Sequence, residues 1–240
     1  MMRLEKKTVL ITGAAKRVGR AMALAVAEAG GNVIVHYRGS QQAAEQTKAD
    51  IQTFGVQAHL LQADLSDPQQ AAGLIPRALE FGPLFGLINN ASVFAPLSVA
   101  ETDLKAWELH INVHATAPFL LSQAFAASRP PAGRIVNMLD WRALRPGGDH
   151  FPYTISKATL VALTRSLAQA LAPDITVNGM ALGAILPPSD GGDTKGILKD
   201  YPAGRWASLD EVTRTLLFLL DGPAYITGEI IHVDGGRHLV

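Results

Sequence analysis

Cysteine is missing from all 240 residues, which removes disulfide staples, a thiolate nucleophile and any cysteine-ligated zinc or iron–sulfur centre. A surplus of either charge is missing too, since 21 basic side chains face 21 acidic ones. General binding to nucleic acid or to an anionic membrane wants a basic excess that neutralises phosphates, and there is none overall. Apolar runs are short: stretches such as 21–27 and 216–220 fall far below the roughly 20 residues of a membrane span. The opening MMRLEKKTVLITG has no apolar region behind its basic start, so no cleavable leader is expected and the cytoplasm is the default location. What is present is 48% apolar residues, enough for one domain over 1–240 with a sizeable core.

Short β-rich runs at 8–11, 33–36, 58–62, 84–88, 134–138, 175–178 and 229–233 alternate with longer helical periodicities. The latter span 18–29, 41–54, 69–80, 104–127, 153–171 and 209–220. That alternation predicts an α/β fold: a doubly wound, mainly parallel seven-stranded sheet with helices on both faces. The stretch 182–206, rich in Gly, Pro and Asp, is long enough to be a binding loop.

The first strand runs through Thr12 and Gly13 to Arg17, Val18 and Gly19, and a helical pattern follows at once. Strand, small-residue turn and helix make a pyrophosphate site, because the helix start offers free N–H groups and a positive dipole end. Residues 1–50 hold eight basic and four acidic side chains, which suits an anion. After the second strand come His36, Tyr37, Arg38 and Ser40, with no carboxylate to meet a ribose 2′-hydroxyl. Arg38 with His36 and Ser40 suits a 2′-phosphate, hence NADP(H) over NAD(H). Asp64, followed by Leu65, can reach an adenine amino group or cap the next helix.

Tyr153 and Lys157 are four apart at a helix start and share a face. A phenol of ordinary pKa is a poor proton donor at neutral pH, and a nearby ammonium stabilises its phenolate. Asp140, thirteen positions earlier at the end of the fifth strand, can be brought to the same ligand.

In order along the chain, Thr12-Gly13…Gly19, Asp64, Asn89-Asn90-Ala91, Asn112, Tyr153-x-x-x-Lys157 and the terminal Ile226-Thr227-Gly228-Glu229…Val233-Asp234-Gly235-Gly236 resemble the short-chain dehydrogenase/reductase family, with its Rossmann sheet. The resemblance implies that Tyr153 is the general acid, that Lys157 holds the nicotinamide ribose and lowers the tyrosine pKa, and that Asn112 supports a water relay. It places Asn90, Ala91, Ser92, Gly183 and Ile185 beside the coenzyme, and it implies a homotetramer built through 104–127 and 153–171. No metal is expected.

Two departures resemble the pteridine reductase branch, bacterial dihydromonapterin reductases included: Asp140 stands where serine is usual, and Ala14-Ala15-Lys16-Arg17 replaces the glycine-rich turn. The resemblance implies that Arg17 reaches phosphate and pterin, that Asp140 assists Tyr153, and that Phe94, after Asn90-Ala91-Ser92-Val93, stacks on the pterin, with Ser92 beside it. Asp140 can equally anchor Arg142, and Phe94 can be core. Trp141 and Trp206 are candidate pocket walls without a motif. Leu182-Gly183 departs from the family's Pro-Gly and leaves that loop's path open. The expected reaction is C=N reduction of a dihydropterin by NADPH. A carbonyl reductase for 3-oxoacyl thioesters or sugars, and a non-catalytic NADP(H) sensor, are the alternatives.

Overall fold

The structure is a computed structural model, described here for residues 4–130, 132–187 and 196–240. Seven strands form one parallel sheet in the order β3-β2-β1-β4-β5-β6-β7. They are β1 (Thr8–Ile11), β2 (Asn32–Tyr37), β3 (Ala58–Gln62), β4 (Gly86–Asn89), β5 (Gly133–Asp140), β6 (Ile175–Leu182) and β7 (Ile230–Val233). The inner strands are buried along nearly their whole length, as a sheet covered on both faces requires.

The helices are α1 (Arg17–Glu28), α2 (Gln41–Gln52), α3 (Pro68–Ala72), α4 (Leu74–Leu79), α5 (Leu104–Ile111), α6 (Ala117–Ala127), α7 (Phe151–Leu171) and α8 (Leu209–Asp221). Helices α1 and α8 pack together over one face, where Met22, Val26, Val33, Val136, Met180 and Leu216 share a core. On the opposite face α4, α6 and α7 cover Leu10, Ile34, Leu87, Ile135 and Val177. No helix among the described residues is long and apolar enough to cross a membrane.

Two expected helices are interrupted. The 69–80 segment splits into α3 and α4 at Gly73, where the poor helix former meets Pro76, which has no N–H for the ladder. The 104–127 segment contains a π turn, Asn112–Thr116, in which the Ala117 N–H reaches the Asn112 carbonyl. Pro118 stands just beyond it and cannot return a hydrogen bond to the preceding turn, so the ladder slips by one residue there. Strands β5 and β6 run longer than their β-rich cores suggest, because they pair in continuous register from Gly133 with Ile175 to Asp140 with Leu182. That extension carries Asp140 to the carboxyl edge of the sheet. The chain reverses direction across the sheet between β1 and β4, which opens a crevice at their carboxyl ends.

Candidate active site

The turn after β1 is stitched to β4. The Thr12 hydroxyl accepts from the N–H groups of Asn90 (2.8 Å) and Ala91 (2.9 Å), while the Asn90 amide donates to the Thr12 carbonyl at 2.8 Å. Gly13 has φ +65°, and a Cβ on Gly19 would collide with the Gly13 carbonyl oxygen, so only glycine closes this turn. No side chain caps α1, which leaves its first-turn N–H groups for an anion. Val18 packs against the core, while Arg17 donates to the Pro187 carbonyl at 2.7 Å. The guanidinium therefore ties this turn to the start of the late loop, whose residues 188–195 lie outside those described.

His36 takes a different part from the expected one. It is 2% exposed, its Nδ1 accepts from the Gly13 N–H at 3.0 Å and its Nε2 lies 3.1 Å from the Ala63 carbonyl. With both nitrogens spent inside the protein, the ring braces the phosphate turn and cannot face a 2′-phosphate. Tyr37 likewise turns into the core. Arg38 is exposed at the end of β2, and Ser40 precedes α2 without capping it. Asp64 does not cap the next helix, a task taken by Asp67. Its Oδ1 accepts from the Ser66 N–H and hydroxyl; burial raises its pKa, but these bonds and the Arg38 charge outweigh that and lower it. Leu65 beside it is buried.

Burial pushes the His36 pKa down to about 4. Below pH 6.5 the unfolded chain takes up a proton that the folded ring refuses, so stability falls as pH falls. Between the ordinary value of 6.5 and about 4 the expected loss is about 3 kcal/mol, read from denaturant midpoints of native protein and a His36→Gln variant. Equal pH slopes for the two proteins would show that His36 contributes nothing to this loss.

At the carboxyl end of β5 the Tyr153 hydroxyl donates to Asp140 Oδ2 at 3.0 Å. Asp140 Oδ1 accepts the Arg142 N–H at 2.8 Å and lies 3.8 Å from the Arg142 guanidinium. Asp140 is thus both a partner of the tyrosine and an anchor for Arg142. Burial raises its pKa against the pull of Arg142. Burial, then the adjacent Asp140 charge, lifts Tyr153 well above 10. Lys157 Nζ donates to the Met138 carbonyl at 2.6 Å and lies 5.9 Å from the centre of the Tyr153 ring, with no hydrogen bond to the phenol oxygen. Burial brings Lys157 down to about 8, with Asp140 opposing the shift. An ammonium has three donors, and among the described residues only one is used.

Asn112 sits at the start of the π turn and donates to the Ser66 carbonyl at 3.0 Å. Its side chain bonds Ser66 and Thr116 and makes no hydrogen bond to Tyr153 or Lys157. A residue with no sequence motif, His114, is more central. It is 1% exposed, with Nδ1 2.8 Å from the Ser156 hydroxyl and Nε2 2.9 Å from the Ser92 hydroxyl and 3.2 Å from the Val93 N–H. Because Ser156 donates its own proton to the Tyr153 carbonyl, Nδ1 carries the hydrogen and Nε2 accepts. Burial, with Lys157 and His110 nearby, holds this ring neutral. It ties the 92–93 segment to the helix that bears Tyr153.

Phe94 is 56% exposed and meets the Tyr153 ring edge-on at 4.7 Å, while His150 stacks on it at 4.1 Å. The aromatic is therefore not core, and one face already carries a flat ring. Gly183 has no room for a side chain against Asp234 and Tyr201, and its N–H bonds the Val233 carbonyl at 3.0 Å, which settles the path of Leu182-Gly183 as a continuation of β6. Ile185 is buried in the core. Trp141 lines a cavity beyond Asp140; Trp206 does not.

The profile of the family described as Enoyl-(Acyl carrier protein) reductase matches residues 13–238. The 3-oxoacyl-(acyl-carrier-protein) reductase of Synechocystis sp. is 31% identical, covering 98% of each chain. This chain belongs to the short-chain dehydrogenase/reductase family. Membership makes it an oxidoreductase. Among solved structures, FolM alternative dihydrofolate reductase 1 from Brucella canis, complexed with NADP, superposes with a TM-score of 0.91 at 35% identity, over 100% of this chain and 96% of that one. A blue fluorescent protein from a metagenomic library, in complex with NADPH, gives 0.92 at 29% identity, over 98% and 99%. In this short-chain reductase the parts that sequence reasoning missed are His114, His150 and Ser156. A histidine in the segment Asn112–Thr116 carries no signal of its partners, which come from two other segments.

Proposed function

We propose that this protein is an NADPH-dependent reductase of a dihydropterin or a related fused heterocycle, reducing a C=N bond while Tyr153 protonates the adjoining nitrogen. The observation that carries the reading is the Tyr153–Asp140 pair at 3.0 Å. A ketone needs one proton at one oxygen, for which a serine and a tyrosine suffice. A pterin presents amino and ring N–H groups, and a carboxylate accepts from these or, when protonated, donates. The similarity to the Brucella canis dihydrofolate reductase supports the same class.

The residues fit the coenzyme. The uncapped start of α1 suits its pyrophosphate, exposed Arg38 its 2′-phosphate, Asp64 its adenine, and the spare donors of buried Lys157 its nicotinamide ribose. Asn90, Ala91 and Ser92 follow β4 and Gly183 follows β6 at the carboxyl edge of the sheet, with Ile185 buried beyond them, and Arg17 ties the phosphate turn to Pro187. Bound NADPH supplies the hydride.

Tyr153 holds its proton across neutral pH because burial and Asp140 raise its pKa. Once that proton passes to substrate, phenolate and carboxylate would face each other at hydrogen-bond distance. Two like charges there are costly, so the dyad titrates as a unit. Asp140, its pKa raised by burial, can take a proton from solvent and pass it to the phenolate, which restores the neutral phenol, and the Lys157 ammonium offsets the carboxylate charge that remains. Asn112 acts through the Ser66 carbonyl and the π turn. A cytoplasmic homotetramer accompanies this reading; exposed Leu104 and Phe119 on α5 and α6 offer apolar area for such contacts.

Asp140→Ser tests it. Dihydropterin reduction is expected to fall about tenfold, about 1.4 kcal/mol of transition-state stabilisation, with ketone turnover unchanged or improved. A native protein that reduces a 3-oxoacyl thioester and no dihydropterin, or a variant in which both rates fall equally, overturns the pterin assignment.

A further inference from the structure

Beyond Asp140 lies a cavity of about 770 Å³ that includes none of Tyr153, Lys157 or Phe94 in its lining. Trp141, Tyr201, Arg237, Arg142, Arg145 and Lys199 line it, together with the carboxylates of Asp149 and Asp200. A ladder of rings and guanidinium groups leads into it from the proton-transfer pair. The Arg142 Cζ lies 6.0 Å from the Phe94 ring and 4.7 Å from the Trp141 ring; the Arg237 Cζ lies 4.3 Å from Trp141 and 5.8 Å from Tyr201. Stacked guanidinium and aromatic planes present flat, weakly hydrated surface.

The charges on this ladder are only partly matched. Arg142 meets Asp149 at 3.2 Å and Asp140 at 3.8 Å, and Arg237 meets Asp200 at 3.6 Å. Among the described residues no carboxylate pairs with the side chains of Arg145 or Lys199. The two unmatched cations line the same cavity, and the matched ones are held between aromatic planes.

Resting on the pterin reading above, we infer that this cavity receives an extended anionic tail on the substrate's heterocycle, its carboxylate or phosphate group meeting Arg145 and Lys199. A heterocycle held at Phe94, Tyr153 and Asp140 has Arg142 at its edge, and the ring-and-guanidinium ladder continues from there into the cavity. A flat spacer can lie along the ladder. The terminal anion then reaches cations that have no carboxylate partner among the described residues, so its binding breaks no ion pair seen there.

The test compares Michaelis constants for three dihydropterins: one with a short uncharged tail, a phosphate ester of it, and dihydrofolate, whose tail is an aromatic spacer ending in glutamate. Each is measured with the native protein and with an Arg145→Ala/Lys199→Ala double variant, both changes being at exposed positions. At least one anionic substrate is expected to show a Michaelis constant about tenfold lower than the uncharged one, about 1.4 kcal/mol, and to lose that advantage in the double variant and at high salt. Preference for dihydrofolate or for the phosphate ester distinguishes the carboxylate source from the phosphate source. Calorimetric titration of native and variant protein with p-aminobenzoylglutamate and with inorganic phosphate reads the cavity independently of turnover. Saturable binding lost in the variant supports the inference even where no dihydropterin is reduced, in which case only the pterin reading fails. Equal Michaelis constants together with no fragment binding overturn the inference while leaving reduction of the uncharged dihydropterin, and with it the pterin reading, intact.

Discussion

Tyr153→Phe is expected to reduce turnover roughly a thousandfold, within the range that positioned proton transfer supplies, while NADPH affinity stays within about a factor of two. The substitution deletes one O–H and keeps the ring. The edge contacts of that ring with Phe94 at 4.7 Å and with His114 at 5.4 Å do not depend on the hydroxyl, so the helix start and the segment at Ser92 should hold their places. Asp140 loses a donor that lowers its pKa, so it becomes easier to protonate and its buried charge need not go uncompensated. A protonated Asp140 in the variant is the best remaining acid, which sets a floor of residual activity rising as pH falls. Steady-state rates across pH, beside a coenzyme fluorescence titration, check both halves. Near-native turnover would place the acid elsewhere.

The second large effect is expected at Lys157. Lys157→Met keeps most of the side-chain volume and removes the ammonium, so the Met138 carbonyl loses its 2.6 Å donor and the coenzyme ribose loses the two donors the protein leaves free. Hydrogen bonds from a charged donor are each worth about 1.5–3 kcal/mol, so two of them amount to a loss of roughly 100- to 10,000-fold in kcat/KM. Unlike the tyrosine change, this one should also raise the coenzyme dissociation constant. The proton-transfer pair suffers too, since the ammonium no longer offsets the negative charge formed when Tyr153 gives up its proton. Coenzyme binding as tight as in the native protein, with turnover within about tenfold, would separate Lys157 from both tasks.

The parallel sheet was legible because each βα unit carries its own period. Apolar β-branched runs at β1, β2 and β4 to β6 mark strands buried on both faces, and the amphipathic stretches between them mark the covering helices. Where one segment's conformation depends on a distant ladder, the period was insufficient: β5 continues to Asp140 only because β6 lies beside it in register. The π turn at Asn112–Thr116 also escaped the pattern, since a one-residue slip in the hydrogen bonds leaves the apolar spacing almost unchanged.

At the site the same division holds. The spacing of Tyr153 and Lys157 on one helical turn, the two turn glycines, Arg38 at a strand end and Asp140 thirteen residues before the tyrosine are local facts, and the chain's residues determined them alone. Whether Lys157 or Asp140 reaches the phenol oxygen was decided only in three dimensions, by a strand carbonyl that takes the ammonium and a carboxylate that takes the hydroxyl. His36 resembled a phosphate ligand by position, but the fold buried it between Gly13 and Ala63. His114 had no signature, yet its two nitrogens join Ser92 to Ser156. The physical reason is common to all three. A side chain's period places it on a face, whereas its protonation and partners depend on burial and on donors that arrive from other segments, which only the packed chain brings within reach.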